Sequence, residues 1–173
     1  MVILISGASH CGKTYLAQKM LEKYKIPYLS IDHIKMGLIR SKYTNLTPYD
    51  DEKLTEYLWP VVREIVKTNI ENNQNIIIEG CYIPFWWRDD FSIYYLSHIK
   101  YICLCFSESY IKNNLDKIIK YSNVIESRLD NSYITKEYLI EQNKYYLEGC
   151  QKHNLEYHIF YDDFEKEISK LLT

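Results

Sequence analysis

The chain alternates between short, unbroken apolar runs and longer stretches in which apolar residues return every three or four positions. Residues 2–6 (Val-Ile-Leu-Ile-Ser) are β-branched and apolar and end at a glycine, which predicts a strand buried on both faces. Leu16, Ala17, Met20, Leu21 and Tyr24 then recur at helical spacing, predicting an amphipathic helix over 13–24. Residues 27–31 read as a second strand, with Asp32 capping a helix that runs to about Arg40. Thr47-Pro48 followed by Asp50, Asp51 and Glu52 predicts a helix start: a cap, a proline in the first turn, then acids at the positive end. That helix runs to about Glu71 and is expected to kink at Pro60. Residues 75–79, 100–106 and 156–161 are three further strands, and helical patterns cover 107–121, 135–152 and 164–172 around a polar stretch at 122–132.

Strands alternating with helices predict an α/β fold, because each parallel crossover requires a covering helix. The expected architecture is three-layered: a five-stranded parallel sheet with helices on both faces. No linker, repeat or low-complexity tract interrupts it, so residues 1–173 read as one domain.

Composition narrows the classes. The chain is 47% hydrophobic and 25% charged, which excludes a disordered segment. A formal net charge of −2 leaves no broad basic footprint, so nucleic acid is disfavoured as a partner. No apolar run reaches membrane-spanning length, and residues 2–6 are too short for a signal-peptide core. The five cysteines are odd in number and form no C-x-x-C pair, which points to a reduced, cytoplasmic protein.

The chemistry begins between the first strand and the first helix. Gly7-Ala8-Ser9-His10-Cys11-Gly12-Lys13-Thr14 fits G-x-x-x-x-G-K-[ST] at every fixed position. In such a loop the glycines let successive backbone N–H groups turn inward onto phosphate oxygens, and the following helix adds its positive end. The expected ligand is ATP with Mg²⁺, contacted by residues 7–14 and Tyr15. Lys13, an exposed loop lysine, would neutralise the β and γ phosphates, and the Thr14 hydroxyl would hold the metal. His10 replaces a glycine that many such loops carry, and histidine tolerates positive φ better than most residues. Cys11, beside the positive helix end, is expected to be partly exposed and to favour its thiolate.

Other candidates sit at strand ends. Glu79 closes the third apolar strand before Gly80, where a carboxylate can enter the water shell of Mg²⁺. Asp32, after the second strand, can orient or deprotonate an acceptor hydroxyl, hold a magnesium-bound water, or simply cap its helix. Of only four arginines, Arg40, Arg88 and Arg128 fall on segments expected to border the site. Their planar forks suit phosphate and carboxylate, so Arg40 and Arg88 are expected to converge on an acceptor anion and Arg128 on the transferring group. Pro84-Phe85-Trp86-Trp87 either lines an acceptor pocket or packs a loop onto the sheet.

With these residues in place the chain resembles the P-loop nucleoside and nucleotide kinase family, adenylate-kinase-like in topology. The resemblance implies an acceptor-binding helical insert at about 32–72 and a small lid at about 107–135. "SIDHIKMGLIR" is similar to the family's acceptor helix, "IIIEGCYIPFWWR" to its strand-to-loop segment carrying an acid and an arginine, and "SRLD" to a reduced lid. Adenylate kinases follow this strand with Asp-Gly-Phe-Pro-Arg, whereas Arg88 stands eight residues after Gly80. The short lid and the acid after strand two look closer to small-metabolite kinases: shikimate, gluconate and chloramphenicol kinases and the zeta-toxin-like or 2-phosphoglycerate-kinase-like branches. The implied activity is Mg-ATP-dependent phosphorylation of a small, anionic metabolite. A nucleoside-monophosphate kinase and, more remotely, a nucleotide-dependent switch or hydrolase are the alternatives.

Overall fold

The computed structural model describes residues 1–121 and 134–172. In chain order the elements are β1 (Val2–Gly7), α1 (Lys13–Tyr24), β2 (Tyr28–Ser30), α2 (Ile31–Arg40), α3 (Asp51–Glu71), β3 (Ile76–Glu79), a 3-10 turn (Trp87–Asp90), α4 (Ile93–Leu96), β4 (Ile99–Phe106), α5 (Glu108–Tyr121), α6 (Lys136–Lys152), β5 (Tyr157–Phe160) and α7 (Phe164–Leu171). The five strands form one parallel sheet in the order β2-β3-β1-β4-β5, with helices on both faces. Among the described residues no helix is long and apolar enough to cross a membrane.

β1 is the central strand because its apolar run is buried on both faces; Val2, Leu4 and Ile5 have no exposed surface. Its register pairs Ile5 with Glu79 on one side and Gly7 with Leu104 on the other. From β1 the chain crosses to β2 at one edge, while from β3 it crosses over to β4 on the other side of β1. The adjacent strands β1 and β3 therefore lead in opposite directions, and such a switch point opens a crevice at the carboxyl ends of the strands. The loop after β1 and the last residue of β3 both lie there.

Two local expectations change. Ser30, not Asp32, occupies the N-cap of α2, and Asp32 stands inside the first turn. α3 starts at Asp51 rather than at Pro48, because Asp50 turns its carboxylate back to accept from the Thr47 amide (2.8 Å) and hydroxyl (2.7 Å). As expected, α3 runs to Glu71, with Pro60 inside its 21 residues. The 3-10 turn and α4 carry too few residues for periodicity to reveal them.

In the aromatic run after β3, Phe85 and Trp87 pack the loop onto the fold, while Trp86 is exposed. Phe85 lies against Tyr145, Tyr146 and His153 of the α6 region, and a Cβ on Gly149 would come within 2.2 Å of its ring. Trp87 is buried and stacks on Tyr101 at 5.4 Å. α6 also closes the end of β4: buried Asn143 accepts the Phe106 amide at 2.6 Å and donates to the Leu139 carbonyl at 2.7 Å.

Candidate nucleotide and acceptor site

The loop between β1 and α1 turns on three residues with positive φ: Gly7 (139°), His10 (67°) and Gly12 (87°). A Cβ on Gly7 would meet the Leu104 carbonyl at 2.2 Å, so this position is closed to side chains by the neighbouring strand as well as by its backbone. Gly12 is closed differently, since a Cβ there would lie 2.6 Å from the ring of Phe164 at the start of α7. His10 takes the left-handed conformation itself, with its Nδ1 2.8 Å from the Ser9 hydroxyl.

Lys13 is the first residue of α1, and its side chain returns over the loop to donate to the Ala8 carbonyl at 2.8 Å. It is 7% exposed, so the expected exposed lysine is instead a buried cation. Burial opposes its charge, but the surrounding Cys81, Cys11, Glu79 and Asp32 outweigh that and hold the ammonium above its ordinary range. Thr14 places its hydroxyl 3.2 Å from Glu79 Oε1, joining the end of the loop to the end of β3. Glu79 is only 1% exposed. A hydroxyl and a carboxylate side by side are hard oxygen donors of the kind Mg²⁺ takes. Among the described residues no group of three or more His, Cys, Asp or Glu forms a cage of its own.

Cys11 departs from expectation. Its thiol is fully buried and donates to the same Ala8 carbonyl at 2.8 Å. Burial pushes it up to about 12, against the opposing pull of Lys13. It is a core hydrophobe under the loop, not a reactive thiolate.

The acceptor candidates separate. Asp32 forms an ion pair with Lys35 one turn along α2, and its charge acts on Lys13 and Cys81. Arg40 is exposed on the last turn of α2. Arg88 does not join them. It donates to the Asn154 carbonyl at 3.0 Å and borders a hollow with Leu96, Ile99, Lys100 and Glu156. Ile99 pairs with Val2 in the sheet, so Arg88 sits toward the end opposite the phosphate loop. The 3-10 turn carries it away from the cleft, so the expected convergence with Arg40 does not occur. Arg128 and the centre of the expected lid lie outside the described residues.

Two residues that sequence patterns did not single out stand in the cleft. Lys35 and Tyr82 are bonded at 2.9 Å, and Tyr82 donates in turn to Asp51 at 3.3 Å. The i, i+3 spacing of Asp32 and Lys35 was the available signal. Nothing local marks Tyr82, which is forty-seven residues from Lys35 in the chain.

No protein-family model matches the sequence, and no curated protein matches it. Solved structures do match its fold. A deoxyadenosine kinase from M. mycoides superposes with a TM-score of 0.60 at 17% identity, covering 99% of this chain and 97% of that one. A shikimate kinase from Bacteroides thetaiotaomicron gives 0.56 at 14%, covering 99% and 95%. A gluconokinase from Sinorhizobium meliloti 1021 gives 0.55 at 13%, covering 99% and 89%. With its phosphate loop at the sheet's switch point and its strand order 2-3-1-4-5, the chain has the adenylate-kinase-like fold of the P-loop small-metabolite kinases.

Proposed function

We propose that the protein is an ATP- and Mg²⁺-dependent kinase that transfers the γ-phosphoryl group to a small metabolite. The observation that carries this reading is the Thr14–Glu79 contact at 3.2 Å beside the buried Lys13. A metal-holding pair and a phosphate-neutralising cation are thereby held at the mouth of one loop. Thr14 and Glu79 would hold Mg²⁺, whose charge would offset that of the phosphates. The protein's own part is positioning: the loop amides and Lys13 cradle the phosphates, and Asp32 presents an acceptor hydroxyl. Arg128 remains the proposed partner of the transferring group.

The acceptor proposed is small and anionic, and Arg40 is the arginine that supports it. The placement of Arg88 removes the second fork from that argument, and with it the arginine expected of an adenylate-type kinase. An uncharged acceptor such as a nucleoside is the second reading, favoured because Lys35 is already matched by Asp32. Incubation with γ-labelled ATP and fractionated metabolites, with and without a magnesium chelator, tests the activity. Label should move to one small product only when magnesium is present. Release of label to water alone, whatever acceptor is added, would identify a hydrolase or switch instead. Arg40→Lys should raise the acceptor KM, while Arg88→Lys leaves it unchanged.

A further inference from the structure

Four side chains from three segments form a continuous chain along the cleft. Asp32 and Lys35 lie on α2, Tyr82 on the loop after β3, and Asp51 at the first position of α3. The bonds have a direction. Tyr82 donates its hydroxyl proton to Asp51, so its oxygen lone pairs face the ammonium of Lys35. Lys35 donates to that oxygen and to Asp32 Oδ1. Its ammonium also lies 5.0 Å from the centroid of the Tyr82 ring, within the range of a cation–π contact.

Burial grades along this chain. Tyr82 is 5% exposed, the Lys35 side chain 12%, and the Asp32 side chain 36%. A lysine tethered only to an aspartate one turn away on an open helix keeps most of its rotamer freedom and orients nothing. Here the ammonium is pinned from the far side by a buried ring and hydroxyl. Asp32 is consequently gripped by one oxygen and presents the other; of the chain's two open ends, Asp32 and the exposed Asp51, only Asp32 lies in the first turn after β2. Asp32 follows two residues after Ser30, which pairs with Glu79 at the end of β3, and this places it on the phosphate side of the cleft.

Resting on the kinase reading above, we propose that Lys35 is a positioning residue that fixes the rotamer of Asp32 toward the acceptor hydroxyl, and that Tyr82, anchored by Asp51, fixes Lys35. The effect on transfer passes through Asp32, because Lys35 and Tyr82 lie in the more buried middle of the chain and, of its two carboxylates, Asp32 is the one beside the end of β2. A misplacement of about 1 Å in such a group costs about 10²-fold in rate.

The test measures transfer from γ-labelled Mg-ATP to deoxyadenosine, shikimate, gluconate and water, alongside ATP affinity by calorimetry and Tm. Lys35→Met keeps the apolar stem and removes the charge; Tyr82→Phe keeps the ring and removes the hydroxyl. Both should lower kcat for the fastest acceptor, by about 10²-fold and about tenfold respectively, with ATP affinity within twofold of wild type. Lys35→Arg should recover part of the loss. In an Asp32→Asn background Lys35→Met should add nothing, a result that a merely structural role would not give. Unchanged kcat in Lys35→Met, or losses that add fully to those of Asp32→Asn, would overturn the relay alone. A wild-type protein that delivers label to no acceptor and not to water removes the kinase reading, and the relay with it.

Discussion

The Thr14 hydroxyl meets Glu79 Oε1 at 3.2 Å, so the end of the phosphate loop is tied to the end of a strand sixty-five residues further along the chain. The register of β1 against β3 makes the meeting possible, since Ile5 pairs with Glu79 and the Gly80 amide donates to the Ile5 carbonyl at 3.1 Å. Removing either partner should act on metal use rather than on the fold of the loop. Thr14→Ala and Glu79→Gln are each expected to raise the magnesium concentration needed for half-maximal transfer. Magnesium titrations that superpose on wild type would take both residues out of the metal site.

Lys13→Ala should abolish transfer while the sheet survives, with a loss of at least about 10²-fold, as for removal of a preorganised charge partner. Because Lys13 is buried and bonded to Ala8, the same change should also lower stability, unlike removal of an exposed lysine. Lys13→Met, which keeps most of the stem's packing, should lose transfer equally and stability less. Circular-dichroism melts beside the label assay separate the two effects.

The Gly12–Phe164 contact predicts a coupled pair. Gly12→Ala places a Cβ at φ 87° and 2.6 Å from the Phe164 ring, and should cost about 1–3 kcal/mol from backbone strain together with the clash. Phe164→Leu frees space and should lessen the clash but not the strain. Urea denaturation of the single and double variants should therefore depart from additivity by roughly 0.5–3 kcal/mol. Additive effects would mean that α7 does not brace the loop.

Alkylating reagents should leave Cys11 unmodified in the native protein at neutral pH, because the thiol is buried and its ionisation is pushed up to about 12. The pH dependence has a definite sign. A thiol whose folded value is raised from the ordinary 9.0 contributes stability that is complete below about 9 and lost as pH rises through about 12. Tm should fall over that window, and Cys11→Ala should flatten the fall after correction for other groups. Rapid labelling at pH 7 of a folded protein would sink this reading.

The strand-loop-helix unit was legible because its pattern is local: eight consecutive residues carry the glycines, the lysine and the hydroxyl, and the flanking runs of 2–6 and 13–24 declare a strand and a helix. The α/β class followed for the same reason, since each period repeats within a dozen residues. The place of Glu79 at the end of β3 was recognisable because a carboxylate ending an unbroken apolar strand is conspicuous. The orientation of Cys11 was not, because whether a loop side chain turns outward or into the core depends on what packs beneath it.

By itself, then, the sequence determined most of the element order, the parallel α/β class and the place of the glycine-bounded loop between β1 and α1, all of which depend on short-range spacing and backbone stereochemistry. Only the tertiary structure decided which polar groups meet. It sent Arg88 to the Asn154 carbonyl at the far end of the sheet, buried Lys13 over Ala8, and joined Asp32 through Lys35 and Tyr82 to Asp51. These partners lie up to sixty-six residues apart, and their meeting is set by strand register and by the path of loops around aromatic packing. Neither quantity is encoded in any window of the chain short enough to carry a period.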